Sequence, residues 1–182
     1  GGRASAGADD DEENPGPRRA APPVRLSSNA GMNRLTWDFN STSGFMVPPG
    51  AYRVKMTTGS FAAEEPLTLT MDPRLVVDKI TVADLREQYD HNNRMREMVN
   101  EVGSLANRVR QARKNDPQSA PMRDLATTLL GAGEGIRYGQ PGLQAQITYL
   151  AGMTARSDQR IGRDAVERYQ TLRKRLDAVE AK

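Results

Sequence analysis

The chain has 182 residues, no cysteine and one histidine, with 37% hydrophobic, 5% aromatic and 27% charged residues and a formal net charge of +3. The absence of cysteine excludes a disulfide framework, thiolate metal sites and cysteine catalysis; no run approaches the roughly 18 apolar residues of a membrane-spanning helix; and the scarcity of aromatics predicts a thin core of Leu, Val, Met and Ala. Residues 1–80 carry 9 Lys/Arg against 10 Asp/Glu and residues 81–182 carry 17 against 13, a mild excess interspersed with acids that argues against a nucleic-acid partner.

Residues 1–23 combine Gly, Ala and Pro with the acidic run Asp9 to Glu13 and contain no large apolar residue. Burial cannot offset the entropy of ordering them, so a disordered acidic linker is predicted. A cation site on the carboxylate run is set aside, because ligands on such a tract hold no fixed geometry. The opening does not resemble a signal peptide and reads as an internal stretch of a longer chain.

Residues 24–80 are expected to form strands. Val24 to Ser28 is a possible first one. Leu35, Trp37 and Phe39 alternate with Thr36 and Asp38, which predicts a strand with its apolar face turned to a core. Pro48-Pro49-Gly50 reads as a turn into a second alternation, Tyr52, Val54 and Met56. Thr58-Gly59-Ser60 reads as a hairpin turn before a return strand of Leu67, Leu69 and Met71, which Asp72-Pro73 ends because Pro cannot continue a ladder. Such a sheet needs a second layer over its Leu35, Trp37 and Phe39 face. Either the helices downstream or strands preceding residue 1 would supply it.

From Thr81 the period changes. Thr81 followed by Asp84 is an acidic variant of the capping box, and a helix can run from there to about Lys114, roughly 50 Å. Met95, Val102 and Val109 recur every seven residues, as do Met98, Leu105 and Ala112, so the methionines read as a packing seam. A second helix is predicted from Pro121 to about Leu130, ended by Gly131, Gly133 and Gly135. A third carries Pro141 in its first turn with Leu143, Ile147, Leu150 and Ala151 on one face. The last starts near Gly162 and aligns Ala165, Tyr169, Leu172, Leu176 and Val179. The fold expectation is therefore α+β: a partial immunoglobulin-like antiparallel β-sandwich over residues 24–80, then an up-and-down bundle of three to four helices over residues 81–182.

Several stretches carry a resemblance: Gly31-Met32-Asn33-Arg34-Leu35-Thr36-Trp37-Asp38, Pro49-Gly50-Ala51-Tyr52-Arg53-Val54, Pro66-Leu67-Thr68-Leu69 and Met71-Asp72-Pro73-Arg74. With Ala83-Asp84-Leu85 and Tyr149-Leu150-Ala151-Gly152 followed by Ser157-Asp158, the arrangement over residues 30–180 resembles the C-terminal region of bacterial sortilin-like, sialidase-type repeat β-propeller proteins. The resemblance implies an immunoglobulin-like module followed by a helical tail, in a secreted or cell-envelope protein whose propeller lies upstream. It carries over no ligand-binding or hydrolytic residue.

The residues themselves offer little chemistry. His91 sits at a d-like position of the first helix without a second His or a Cys to share a metal, and reads as a helix-edge side chain bonded to a neighbour. Ser104, Ser119 and Ser157 lie in no nucleophile-elbow context. Glu64 and Glu65 are sequence neighbours that strand alternation points oppositely, so they do not form a hydrolytic carboxylate pair. The glycines after Leu130 are neither preceded by a strand nor followed by Lys-Ser/Thr, as a phosphate loop requires. No catalytic residue, cofactor or metal ligand is assigned. Two candidate partner surfaces are: the face of Leu35, Trp37 and Phe39, and the basic cluster of Arg168, Arg173, Lys174 and Arg175, which reads either as a solvated helix face or as a surface for an acidic protein or anionic lipid. The expected function is a non-catalytic structural or protein-interaction module whose partner is the upstream propeller, the remainder of the parent chain or a protein of an envelope complex. The alternatives are an accessory domain of a hydrolase with its active site upstream and a subunit of a large envelope assembly.

Overall fold

The computed structural model describes residues 29–131 and 139–181. The predicted linker over 1–23, the possible strand Val24 to Ser28 and the glycines 133 and 135 lie outside them. In chain order the elements are β1 (Gly50–Thr58), β2 (Phe61–Leu69), α1 (Pro73–Val77), α2 (Val82–Asn115), α3 (Ala120–Leu130), α4 (Leu143–Ala155) and α5 (Arg163–Glu180). The fold is α+β.

The sheet among the described residues is a two-stranded antiparallel hairpin. β1 pairs with β2 from Gly50 opposite Leu69 to Thr58 opposite Phe61, and Gly59, at φ +55°, supplies the positive φ that a two-residue hairpin connection needs. The return strand begins at Phe61, six residues before the predicted Leu67, and tolerates Pro66 because only one of its edges is paired.

Leu35, Trp37 and Phe39 do not form the predicted strand. The Asp38 carboxylate accepts from the Asn40 backbone N–H at 3.1 Å and from Asn40 Nδ2 at 2.7 Å, a local turn that competes with extended pairing. Phe39 takes φ +60°, which breaks the alternation that would have placed it beside Leu35 and Trp37. The segment then closes in a small loop with one bridge, Asn40 to Met46.

Asp72-Pro73 does more than end the strand. The Asp72 side chain accepts from the Arg74 N–H at 2.9 Å and Pro73 supplies the first helical position, so a five-residue helix begins. The Arg74 guanidinium, followed by the Arg74 backbone N–H, lowers the Asp72 carboxyl to about 2.

α2 opens on the predicted capping box: Thr81 N–H donates to Asp84 Oδ2 at 2.8 Å and Asp84 N–H donates to Thr81 Oγ1 at 3.1 Å. Near its C-terminal end Arg110 donates to Gln144 Oε1 at 3.0 Å, while near its start Gln88 donates to the Thr154 carbonyl at 2.8 Å, so α4 runs antiparallel to α2. His91 meets Tyr169 and Glu101 meets Arg173, so α5 runs parallel to α2. α3 packs on both α2 and α4. The predicted seam, apart from the half-buried Ala112, lies in the core: Met95, Met98, Val102, Leu105 and Val109 cluster with Ala126 and Leu129 of α3, Leu143, Ile147, Leu150 and Ala151 of α4, and Leu172, Leu176 and Val179 of α5. Pro141 precedes the helix it was expected to start; Gly142 is the N-cap of α4.

Candidate interaction surface

Pairing register gives the hairpin two unlike faces. Tyr52, Val54 and Met56 lie opposite Leu67, Glu65 and Ala63, and Thr58 lies opposite Phe61, so these share one face. The other face carries Arg53 and Lys55, both ion-paired with Glu64 at 3.2 and 3.7 Å. Glu64 and Glu65 thus point oppositely, as alternation requires.

The base of the apolar face is covered and its tip is not. Trp37 packs edge-on against both Tyr52, with ring centroids 6.4 Å apart, and Phe39, at 5.3 Å. Its Nε1–H donates to the Asn40 carbonyl at 2.8 Å, and the Tyr52 hydroxyl donates to the Pro48 carbonyl. Trp37 is half-buried, not the core residue predicted, while Leu35 and Phe39 are exposed by 50% and 44%. The three residues do not line one strand face; Trp37 lies under Tyr52, with Phe39 on its other side. Beyond them Val54, Met56 and Phe61 are exposed by 52%, 49% and 54%. The helices meet the loop before the hairpin and the start of β1: Arg96 donates to the Thr42 carbonyl at 3.3 Å, and the Arg86 guanidinium lies beside Gly50. Sequence alternation had shown Val54 and Met56 as a strand face. Their exposure, and the inclusion of Phe61, depend on the register and on the absence of a covering layer among the described residues.

The basic residues of α5 divide between two neighbours. Arg173 turns to α2, where it pairs with Glu101, and also meets Asp177 at 2.6 Å and Glu180 at 3.6 Å. Arg168 and Arg175 turn to α4, where both donate to Gln146 Oε1. Lys174 is exposed between them. Arg173 also borders an open groove of about 620 Å³ between α2 and α5, lined by Arg94, Glu97, Glu101, Ser104, Arg108 and Tyr169 among others. Its bases and acids alternate, so it selects no sign of charge.

His91 is not at the helix edge. It is 1% exposed, packed edge-on against Tyr169 with centroids 5.8 Å apart, and its Nε2, like Asn92 Oδ1, is buried without a hydrogen-bond partner among the described residues. Burial, with the Arg94 charge adding to it, lowers the His91 pKa below the ordinary 6.5. The folded state thus favours neutral imidazole, and its contribution to stability is present above pH 6.5 and lost as the pH falls through that value toward the depressed one. Since this is the only histidine, urea midpoints between pH 7.5 and 5.5 are expected to fall for the wild type and to stay nearly level for His91→Phe. Equal slopes in the two proteins would show that His91 is not the titrating group.

Among the described residues no group of three or more His, Asp or Glu is placed to hold a metal ion, and no helix is long and apolar enough to cross a membrane. Compared with known proteins, the chain matches no protein-family model, no curated protein and no solved structure.

Proposed function

We propose that this chain is a non-catalytic interaction module in which the helical unit presents an amphipathic β-hairpin to a further part of the same parent protein. The supporting observation is the tip face of Val54, Met56 and Phe61: apolar, exposed, and backed by an ion-paired face that suits solvent. Docking this face would bury apolar area at roughly 25 cal/mol per Å², and an open strand edge beside it can accept a further strand by main-chain hydrogen bonding. In the fuller form of this reading, strands from upstream complete an immunoglobulin-like sandwich on the hairpin. The parent would then be a bacterial extracytoplasmic protein, secreted or in the cell envelope, of the sortilin-like, sialidase-type β-propeller kind.

The test uses the triple variant Val54→Ser, Met56→Ser and Phe61→Ser. Because these side chains are exposed, the melting temperature of the isolated chain should move by no more than a degree or two, corresponding to the roughly 0.5 kcal/mol typical of surface changes. Binding of a hydrophobic dye should drop, and in the parent protein the hairpin amides should lose protection from hydrogen exchange. A large loss of stability in the isolated chain would mean that the face packs within it, and the reading would fail.

A further inference from the structure

The cations of α5 are not equally paired. Arg163 meets Glu167 at 2.7 Å and Arg173 has three carboxylates around it. Arg168 and Arg175 have no carboxylate partner among the described residues. Both donate to one neutral atom, Gln146 Oε1, from Nη2 at 2.6 Å and Nη1 at 3.0 Å respectively. Two guanidinium nitrogens held on one oxygen lie within roughly 6 Å of each other, a separation at which like charges repel even near a protein surface. The Gln146 amide nitrogen is engaged with the Pro141 carbonyl at 2.6 Å, so the amide offers the pair only a partial negative charge. Exposed Lys174 stands next to them in sequence. Carboxylates would relieve this arrangement, because a guanidinium retains free N–H donors suited to forked, charge-assisted hydrogen bonds.

The same chain contains a concentrated source of carboxylates: Asp9, Asp10, Asp11, Glu12 and Glu13 are consecutive. From Asn29 back to Glu13 is 16 residue steps, which extended can span about 50 Å. That is comparable to the length of α2, whose 34 residues rise about 50 Å, so the run lies on a tether of the same scale as the helical unit. Tethering makes the contact intramolecular, which favours contacts too weak between separate molecules wherever the span to the pair is well short of full extension. We propose that the acidic run Asp9 to Glu13 docks in cis on the Arg168 and Arg175 pair, covering the α4-facing side of α5 with the chain's own carboxylates. An acidic partner approaching this surface must then displace the run, so the basic face is screened until a stronger anion competes.

The absence of cysteine permits a single spin label. Ala8→Cys, labelled with a nitroxide in the full chain, should broaden the Gln146 side-chain amide and the backbone amides of residues 168 to 175 at low salt. The broadening should fade at about 0.5 M salt, where the screening length falls toward the ~3 Å reached at 1 M. It should be lost when Asp9, Asp10, Asp11, Glu12 and Glu13 are replaced by Asn and Gln, and in Arg168→Gln/Arg175→Gln. The neutralised run changes no described residue, so it answers the question even if the arginine variant is disturbed. Two results overturn the proposal: broadening no greater than in the neutralised chain, or broadening that arises only when isotope-labelled chain is mixed with separately spin-labelled chain, which would make a second copy the occupant.

Discussion

Gly142→Ala is expected to destabilise the chain by about 3 kcal/mol or more, lowering the melting temperature by roughly 10 °C. A Cβ at position 142 would overlap the Gly131 nitrogen, the Leu130 carbonyl carbon and the Leu129 oxygen, all backbone atoms. No side-chain rotation can relieve such a clash. The end of α3 and the start of α4 would have to separate, breaking the Gly131 to Pro141 bridge and disturbing the core around the fully buried Leu129 and Leu143. Gly131 is constrained from the other side: it sits at φ +90°, and its own Cβ would come within 2.8 Å of the Gly142 nitrogen. Gly103, in the interior of α2, is the control. A Cβ there meets nothing within 4 Å, so Gly103→Ala should stabilise by about 0.5–1 kcal/mol through helix propensity alone. Urea denaturation of the two variants separates the effects, and a Gly142→Ala midpoint equal to wild type would show that the helices do not meet so closely.

That contrast explains what the sequence made legible. The helices were readable because each repeats apolar residues over many turns, and a pattern such as Met95, Val102 and Val109 has only one use in a helix. The Thr81 and Asp84 signature marked the start of α2 for the same reason: capping is local chemistry. Local chemistry also defeated the reading at Leu35 to Phe39, where apolar alternation was genuine but the Asp38 to Asn40 turn and the left-handed Phe39 used the backbone otherwise. In β2 the Ala62-Ala63-Glu64-Glu65 stretch has poor strand propensity and is held extended by pairing with β1, an override that only the register reveals. The approach of Gly131 to Gly142 leaves no periodic trace at all. The exposed apolar face of the hairpin, Val54, Met56 and Phe61, follows from a register that alternation alone does not give, whereas Leu35, Trp37 and Phe39 share no strand face. The basic cluster was visible as composition, but its division between Glu101 and Gln146 was not. Gln88 and His91 were within reach of the sequence, since stepping the two seam registers back by seven from Met95 and Met98 lands on them. The d-like position of His91 and the matching position of Gln88 mark polar groups in the seam, and both are buried.

Gln88 is where that polarity has its largest consequence. Its side chain is buried, and Nε2 donates to the Thr154 carbonyl at 2.8 Å and the Ser157 carbonyl at 2.7 Å while Oε1 accepts from the Gln159 N–H at 3.2 Å. One amide thus satisfies three backbone groups of the connection between α4 and α5 and fastens it to α2. Gln88→Ala leaves the Ser157 carbonyl and the Gln159 N–H without this partner and the Thr154 carbonyl with only the longer Gln159 Nε2 contact at 3.4 Å, and at about 1 kcal/mol or more for each group left unsatisfied, the expected cost is roughly 2 kcal/mol. Hydrogen exchange of residues 154–159 should accelerate before that of the core helices, because the loss is confined to this connection. Gln88→Glu adds a test of sign. Its carboxylate would place an acceptor against the Thr154 and Ser157 carbonyls, whereas the protonated acid can donate to one of them, so folding raises the pKa of the introduced group above its unfolded value. The variant's deficit should therefore be smallest near pH 4 and grow as the pH rises toward 7. The neighbouring Arg160 to Asp84 ion pair, at 2.9 Å, serves the same connection, and there the Arg160 guanidinium, followed by Thr81, holds the Asp84 carboxyl well below the usual carboxylate range. Its contribution runs the other way: present above pH 3.8, and lost as the pH falls below that value toward the depressed one. High salt should weaken the ion pair and leave the Gln88 deficit unchanged. A Gln88→Glu penalty that is flat between pH 4 and 7 would mean that water, not the Thr154 and Ser157 carbonyls, faces this side chain.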